Sequence, residues 1–529
     1  MLFVPETRFG VCSIETHRKS PVVSCPVVTE TLVVEARQRF EKVLSFCLEN
    51  EHSFWKFEKC LFALLAVLGR LLVRLFLTSR HERLDLKPYV QDGVYRLSND
   101  YAQRTVKTAW GEVRYGRAQL RTTRKGSPRS PGFYPLDAVL GLTRDRLSPW
   151  VMYLVGRLAT RMSFASAQLL CKAMLRWSPA TETIEQVVLG LGRQAVPFMK
   201  QLAAPAGDGE VLVIEEDGKC PPMATEAELA KRRGKRRHKK GCGCGCQRHR
   251  GKSQRQARGP KKRRAKGDKS KNGREAMVLV MYTLKRGAEG KLHGPINKRV
   301  WGTFTGRQAA AQWARAEATK RGFGPDTTKT VQIVVDGAKD LKDKLEVLFP
   351  NAIFTLDVCH VVEKLWTVGH RYHKEGSAAL KAWIEDLKTL LYTGRAAELL
   401  ERLRGYLQQV AAHGPGTKGR RAALKKLIGY MELRLPMMRY QEWIEQDLVI
   451  ATGQVEGAVR HVVGERMDCS GMRWTQGKAE PLLHLRCIEL NGDWDRFCTW
   501  TYLLHHERLR KRQRVKILTD QPVELKAAA

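Results

Sequence analysis

With 93 lysines and arginines against 54 acidic residues, the 529-residue chain carries a formal net charge of +39. That excess is far beyond what solubility needs and calls for a polyanionic partner, nucleic acid before all others. Thirteen cysteines without framework spacing argue against a disulfide scaffold and for a reducing cytosol, and residues 1–12 lack the basic start and apolar core of an export signal.

The length allows roughly three to four domains. Residues 1–95 are expected to be a helical region, because apolar positions recur at helical spacing from Glu35 to Leu77. The most apolar run, Cys60 to Gly69, is too short to span a bilayer, and Arg70 and Arg74 interrupt its continuation. No membrane partner is therefore expected. A buried helix and a dimerisation surface both fit this segment.

Residues 96–200 hold a β-hairpin followed by helices. Apolar and polar side chains alternate on both sides of Gly111 through RTVKTAWGEVRYGRAQLRT, with Arg114, Arg117 and Arg121 on the face expected to be exposed. Such arginines can lie along phosphates or serve as ordinary surface charge. Three helices follow, started by Ser148-Pro149, by Ser163, and by Thr183 with Gln186 in a capping-box pattern. The last two, joined by SPATET, resemble a loose helix-turn-helix that would offer Glu185, Gln186 and Arg193 to DNA. A small helical bundle reads the same way.

From residue 205 the pattern turns regular. EVLVIEEDGK, REAMVLVMYTLKR and NKRVWGTFTG read as strands, RQAAAQWARAEATKRGF as a helix, and VQIVVDGAKDLKDKLEVLFPNAIFTLDVCH as a βαβ unit. The parallel strands of that unit would set Asp336 and Asp357 at one carboxyl edge, where open α/β sheets bind ligands. Between the first two strands, residues 231–274 contain 21 Lys and Arg against one acid, Asp268, a net +20. With almost no apolar side chains this arm is expected to be disordered and to bind phosphates without sequence preference, through Arg236, Arg237, Lys261, Lys262, Arg263 and Arg264 among others. Cys242, Cys244 and Cys246, flanked by His238 and His249, could hold zinc, but their one-residue gaps are not the two-residue gaps of zinc ribbons.

Residues 363–447 read as successive helices in which Trp366, Trp383, Tyr392 and Tyr430 sit on apolar faces. Residues 448–500 then bring an acid, Glu456, among glycines and ahead of a helical pattern, and residues 501–529 form a basic tail. Asp217, Asp336 and Glu456, on separate segments, are the set that carboxylate-metal chemistry on phosphodiesters requires, because two divalent ions about 3.5–4 Å apart can activate water and neutralise the leaving oxygen. Oxygen ligands select magnesium or manganese. A Cys359–His360 nucleophile pair is set aside, since neighbours on a strand point to opposite faces.

The ordered segments TAWGEVRYGRAQL, YPLDAVLGL, EEDGKCPP, VVDGAKDL, FPNAIFTLDVCHVVEKLW, GQVEGAVR, MDCSGMRWTQGKAE and WDRF resemble the DDE transposases of bacterial insertion sequences, in their Mutator-like branch. The resemblance runs from about residue 100 to 500. It implies an α/β fold: an RNase H-like catalytic domain (205–362 and 448–500) interrupted by an all-α insertion, behind mainly helical N-terminal domains with a β-hairpin. It makes Asp217, Asp336 and Glu456 the metal triad, 119 and 120 residues apart, holding two Mg2+ or Mn2+ ions. Asp357 and His360 become auxiliary or structural, and Arg466, Arg473 and Trp474 are placed to touch DNA near the scissile phosphate.

The implied activity is cleavage and strand transfer of the element's own terminal repeats into target DNA, by a homodimer or larger assembly at the bacterial nucleoid. An inactive transposase-derived nucleic-acid binder would share the basic surfaces, and a structural protein that condenses nucleic acid would need only the arm. Relatives usually carry Gly-Ser-Gly before the glutamate, where this chain has Ala451, Thr452 and Gly453, and they commonly lack the cysteine-bearing arm.

Overall fold

The computed structural model describes residues 28–49, 51–91, 93–122, 132–143, 145–175, 177–227, 274–469 and 472–513. The basic arm with its three cysteines, and with Arg236, Arg237, Lys261, Lys262, Arg263 and Arg264, lies outside the described residues. Two compact units emerge, one built from the chain up to Val151 with residues from His505 on, the other from Met152 to Leu504.

In the first unit, helix α1 (Thr29–Leu48) packs on α2 (Phe54–Glu82) through Leu32, Ala36 and Leu71. Helix α2 runs unbroken for 29 residues, so Arg70 and Arg74 do not end it. By length and composition it could cross a bilayer, which corrects the reading of its apolar run as too short. Phe54 and Trp55 are each 76 % exposed, so the helix is not simply buried. After a short turn of helix α3 (Lys87–Val90), strands β1 (Tyr95–Thr108) and β2 (Gly111–Thr122) form the expected hairpin, closed at Gly111, whose φ of 115° suits glycine. Val106, Val113 and Tyr115 pack with Leu77 of α2 and Leu136 of α4 (Pro135–Val139).

Arg114 and Arg121 are exposed, but Arg117 is not the surface charge expected of it. Together with Arg104 it pairs with the nearly buried Asp137, which also accepts from Tyr115 Oη at 2.8 Å. A carboxylate taken out of water needs such partners, and it draws the arginine inward.

The hairpin therefore belongs with the N-terminal helices, while the helices after it join the sheet. After α5 (Pro149–Arg161) and α6 (Phe164–Leu175), helix α7 (Thr181–Gln201) buries Ile184, Val187, Val188, Leu191, Ala195, Phe198 and Met199. It starts after Ala180, so Thr183 lies inside the helix and the capping box expected there does not form. The packing between α7 and a later helix is tight enough that a Cβ on Gly192 would lie 2.6 Å from the Pro481 carbonyl oxygen. Helix α7 is thus a wall of this unit, and only its outer side, with exposed Arg193 and Gln186, meets solvent.

The sheet has five strands in the order β5-β4-β3-β6-β7: β3 (Val211–Lys219), β4 (Ala276–Arg286), β5 (Leu292–Thr303), β6 (Thr330–Val335) and β7 (Ile353–Leu356). β5, β4 and β3 are antiparallel neighbours, and β3, β6 and β7 run parallel. This mixed order is compatible with an RNase H-like domain. Helices α8 (Arg307–Lys320) and α9 (Lys339–Leu348) are the crossovers that parallel pairing requires. The near-continuous apolar burial of β3, β4 and β6 is that of strands covered on both faces.

Four helices follow β7: α10 (Val358–Gly369), α11 (Ala378–Tyr392), α12 (Ala396–Gln409) and α13 (Thr417–Glu432). After the short α14 (Tyr440–Glu445) the chain returns to the sheet, where the buried Gln332 of β6 receives it like a missing strand. Its Nε2 donates to the Val449 carbonyl at 2.6 Å, and its Oε1 accepts from the Val449 amide at 3.0 Å. Helices α15 (Gly453–Val459), α16 (Gln476–Leu490) and α17 (Trp494–Gln513) complete the described chain.

Candidate carboxylate site

Three consecutive acids on β3 serve three different ends, because alternate side chains leave a strand on opposite faces. Glu215 is buried, accepting from Tyr282 Oη at 2.7 Å and from the Val455 amide at 2.8 Å. It thereby fastens the first turn of α15, the helix that carries Glu456. Glu216 points to the other face and is buried without a hydrogen-bond partner among the described residues, so burial pushes its carboxyl up to about 8. Asp217, back on the face of Glu215, stands one step beyond the paired residues Glu216 and Val335. That register makes it the neighbour of Asp336 across two parallel strands.

At the end of β6, Asp336 Oδ1 accepts from the Ala338 amide at 2.8 Å, which closes a tight turn at Gly337 (φ 85°). A Cβ at Gly337 would lie 2.5 Å from Arg434 Nε. At the end of β7, the fully buried Asp357 caps α10 by accepting from the Cys359 amide at 2.9 Å. It also accepts from His360 Nδ1 and from Thr452 Oγ1, both at 2.6 Å. Ligand atoms of Asp357, His360 and Glu456 all lie within 4.8 Å of one another.

Burial raises the Asp217 carboxyl, with the charge of Asp336 adding to it against the Gly218 amide. Desolvation and the charges of Asp357 and Asp217 raise Glu456. Burial works to raise Asp357 as well, but hydrogen bonds from His360, Thr452 and Cys359 outweigh it and hold that carboxyl low. The hydrogen bond to Asp357 raises His360 against its own burial. Asp217 therefore feels the charges of Asp336 and His360, and Glu456 those of Asp357, His360 and Asp217, at one sheet edge.

Such a set fits a hard divalent cation. Its donors are oxygen atoms with one imidazole, and a bound cation would offset both the burial that chiefly lifts Asp217 and Glu456 and the neighbouring carboxylate charge that adds to it. His360 donates Nδ1–H to Asp357, which leaves Nε2 as the ring nitrogen outside that bond.

Other expected site residues lie elsewhere. Arg466 is 1 % exposed, with its guanidinium 5.1 Å from the ring centres of Phe164 and Trp474 and its Nε donating to the Ala159 carbonyl. Trp474 is buried and donates Nε1–H to the Met467 carbonyl at 3.0 Å. These two residues are corrected from DNA contacts to core, since a buried indole and a guanidinium stacked on it have no surface to offer. Arg473 is exposed.

Cys359 and His360 sit on the first turn of a helix, not on a strand. Cys359 is exposed, yet partial desolvation by its surroundings together with the charges of Asp357 and Glu456 raises its thiol above the ordinary value and so disfavours the thiolate. Sequence reasoning missed Glu215, Tyr282, Thr452 and Gln332. Only Thr452 left a signal, standing where relatives of the resembled family carry serine.

No family model matches the chain, and no curated protein does. Among solved structures, the Drosophila P element transposase strand transfer complex aligns over 67 % of this chain and 94 % of that one, at 11 % identity and a TM-score of 0.28. A superposition at that score fixes neither fold nor activity.

Proposed function

We propose that the chain is a DDE-type DNA transposase, cleaving and rejoining phosphodiesters with divalent metal. The observation that carries this reading is the cluster of Glu456 with Asp357 and His360, whose ligand atoms lie within 4.8 Å of one another, beside the strand ends that bear Asp217 and Asp336. Asp217, Asp336 and Glu456 would hold two magnesium or manganese ions. When bound, these would lower the pKa of attacking water and neutralise charge on the departing oxygen.

The chain's own residues position the participants. Glu215 and Tyr282 hold the start of α15, and with it Glu456. Asp357 and Thr452 lock His360 in one orientation, and the turn at Gly337 aims Asp336. The net charge of +39 fits a DNA substrate whose phosphates supply the counter-charge. Bringing two element ends together calls for at least a dimer, acting in the cytoplasm at the nucleoid.

The test is nicking of a plasmid bearing the element's ends, with and without magnesium. Wild-type protein should nick only with the metal, and Asp336→Asn should lose cleavage while keeping DNA affinity. Salt-sensitive binding without any nicking would leave a transposase-derived binder in place of an enzyme.

A further inference from the structure

Helix α13 and the turn after it reach back from the helical segment to the carboxylate edge. Tyr430 donates its hydroxyl hydrogen to the Asp336 carbonyl oxygen at 2.9 Å, and Arg434 Nε donates to the Gly337 carbonyl at 2.7 Å. The guanidinium of Arg434 and the ammonium of Lys364 each lie 4.3 Å from the centre of the Tyr430 ring. Lys364 comes from α10, one turn beyond His360 and so on the same face. Lys426 stands one turn before Tyr430 on α13 and is exposed.

Three cations, from α10, from α13 and from the turn after it, are thus gathered near Asp336. Arg434 spends its hydrogens on backbone carbonyls, but among the described residues neither Lys364 nor Lys426 has a hydrogen bond or an ion pair. Burial pushes the Lys364 ammonium below its usual range, and the charges of Lys426 and Arg434 push it further, against the pull of Asp336 and Glu363. Asp336 and Glu363 offset only part of this for Lys364, and an incoming anion would offset more. A lysine pair on flexible stems reads charge and not base identity, which is the chemistry of backbone phosphate contact.

We propose that Lys364 and Lys426, set on the Tyr430–Arg434 platform, bind backbone phosphates of the DNA strand that enters the carboxylate site. This rests on the reading of that site as one that acts on DNA.

The experiment measures duplex affinity of the full-length protein across a sodium chloride series, in EDTA so that no cleavage occurs. Lys364→Gln and Lys426→Gln are each expected to reduce the slope of log affinity on log salt by about 0.9, and together by about 1.8, while the Lys→Arg variants keep it. Lys388→Gln, which removes a lysine already paired with Glu385, should leave the slope unchanged. Circular dichroism checks that each variant is folded. Slopes equal to wild type in both Gln variants would overturn the proposal. So would a Lys364→Gln variant that keeps the wild-type slope in EDTA and shifts only the magnesium affinity in a separate titration without chelator, which would make that lysine a counter-ion of Asp336. Reduced slopes in a protein that never nicks DNA would uphold the phosphate site and sink the transposase reading instead.

Discussion

Asp357→Asn and His360→Gln, made singly and together, measure how firmly the carboxylate edge is held. Asp357 is fully buried and gathers three donors: His360 Nδ1 and Thr452 Oγ1 at 2.6 Å and the Cys359 amide at 2.9 Å. Asparagine keeps one acceptor oxygen and turns an NH2 toward a donor, so two charge-assisted bonds are lost at a cost of roughly 3–5 kcal/mol. His360→Gln leaves Asp357 with two of its three partners and should cost about 1–2 kcal/mol. The coupling in the double-mutant cycle is then about 1.5–3 kcal/mol near pH 6.

Its pH dependence has a definite sign. His360 is raised above 6.5, so its contribution is complete below that pH and fades as pH rises through the higher folded value. Asp357 is held below 3.8, so its contribution is present above that pH and is lost as acid titrates the lower folded value. Coupling should therefore be flat from about pH 4 to 6.5 and shrink in alkali toward the roughly 1 kcal/mol of a neutral hydrogen bond. Because the chain has two compact units, the assay is amide exchange over residues 353–369 and 448–459, which reads local opening. A coupling under about 0.5 kcal/mol at pH 6, or one identical at pH 6 and pH 9, would refute the reasoning.

Magnesium at a hundred times its dissociation constant should stabilise the sheet-bearing unit by about 2.7 kcal/mol in thermal melts, and Asp336→Asn should erase that gain. An equal gain in the variant would remove Asp336 from the metal site. Trp474→Ala takes a buried ring from against Phe164 and Arg466, so it should cost about 3–5 kcal/mol of stability while DNA affinity, measured well below the melting range, changes little. Weakened binding by a fully stable variant would return Trp474 to the DNA surface. Tyr282→Phe leaves Glu215 Oε1 buried without its donor at a cost of about 1–3 kcal/mol, and the loss should appear as faster exchange at Val455 and through α15. Unchanged exchange there would mean that Glu215 does not secure the glutamate helix.

Local pattern carried much of this protein. Apolar alternation and β-branched runs determined all five strands of the sheet, and helical spacing determined the segments after His360, because both periodicities record burial on one side or two. The acids at strand ends were legible for the same reason: a charged side chain just past an apolar run must sit at an edge. Partnership was not legible. Nothing local distinguishes Glu215, which braces α15, from Glu216, which is buried alone, or from Asp217, which faces the site. Arg466 and Trp474 were misread because basic and aromatic residues near a catalytic acid suit DNA as well as they suit a core. Only burial against Phe164 and the Ala159 carbonyl decides between the two.

By itself the sequence determined the strand order along the chain, the edge position of the acids and the charge that demands a polyanion. Tertiary structure decided which side chains meet: Gln332 receiving the returning chain at Val449, Tyr430 reaching the Asp336 carbonyl, and Lys364 arriving beside Lys426. The physical reason is range. Periodicity is set by neighbours a few residues apart, whereas hydrogen bonds and charges at the site join groups as much as 240 positions apart, and only the closed fold brings those within a few ångströms.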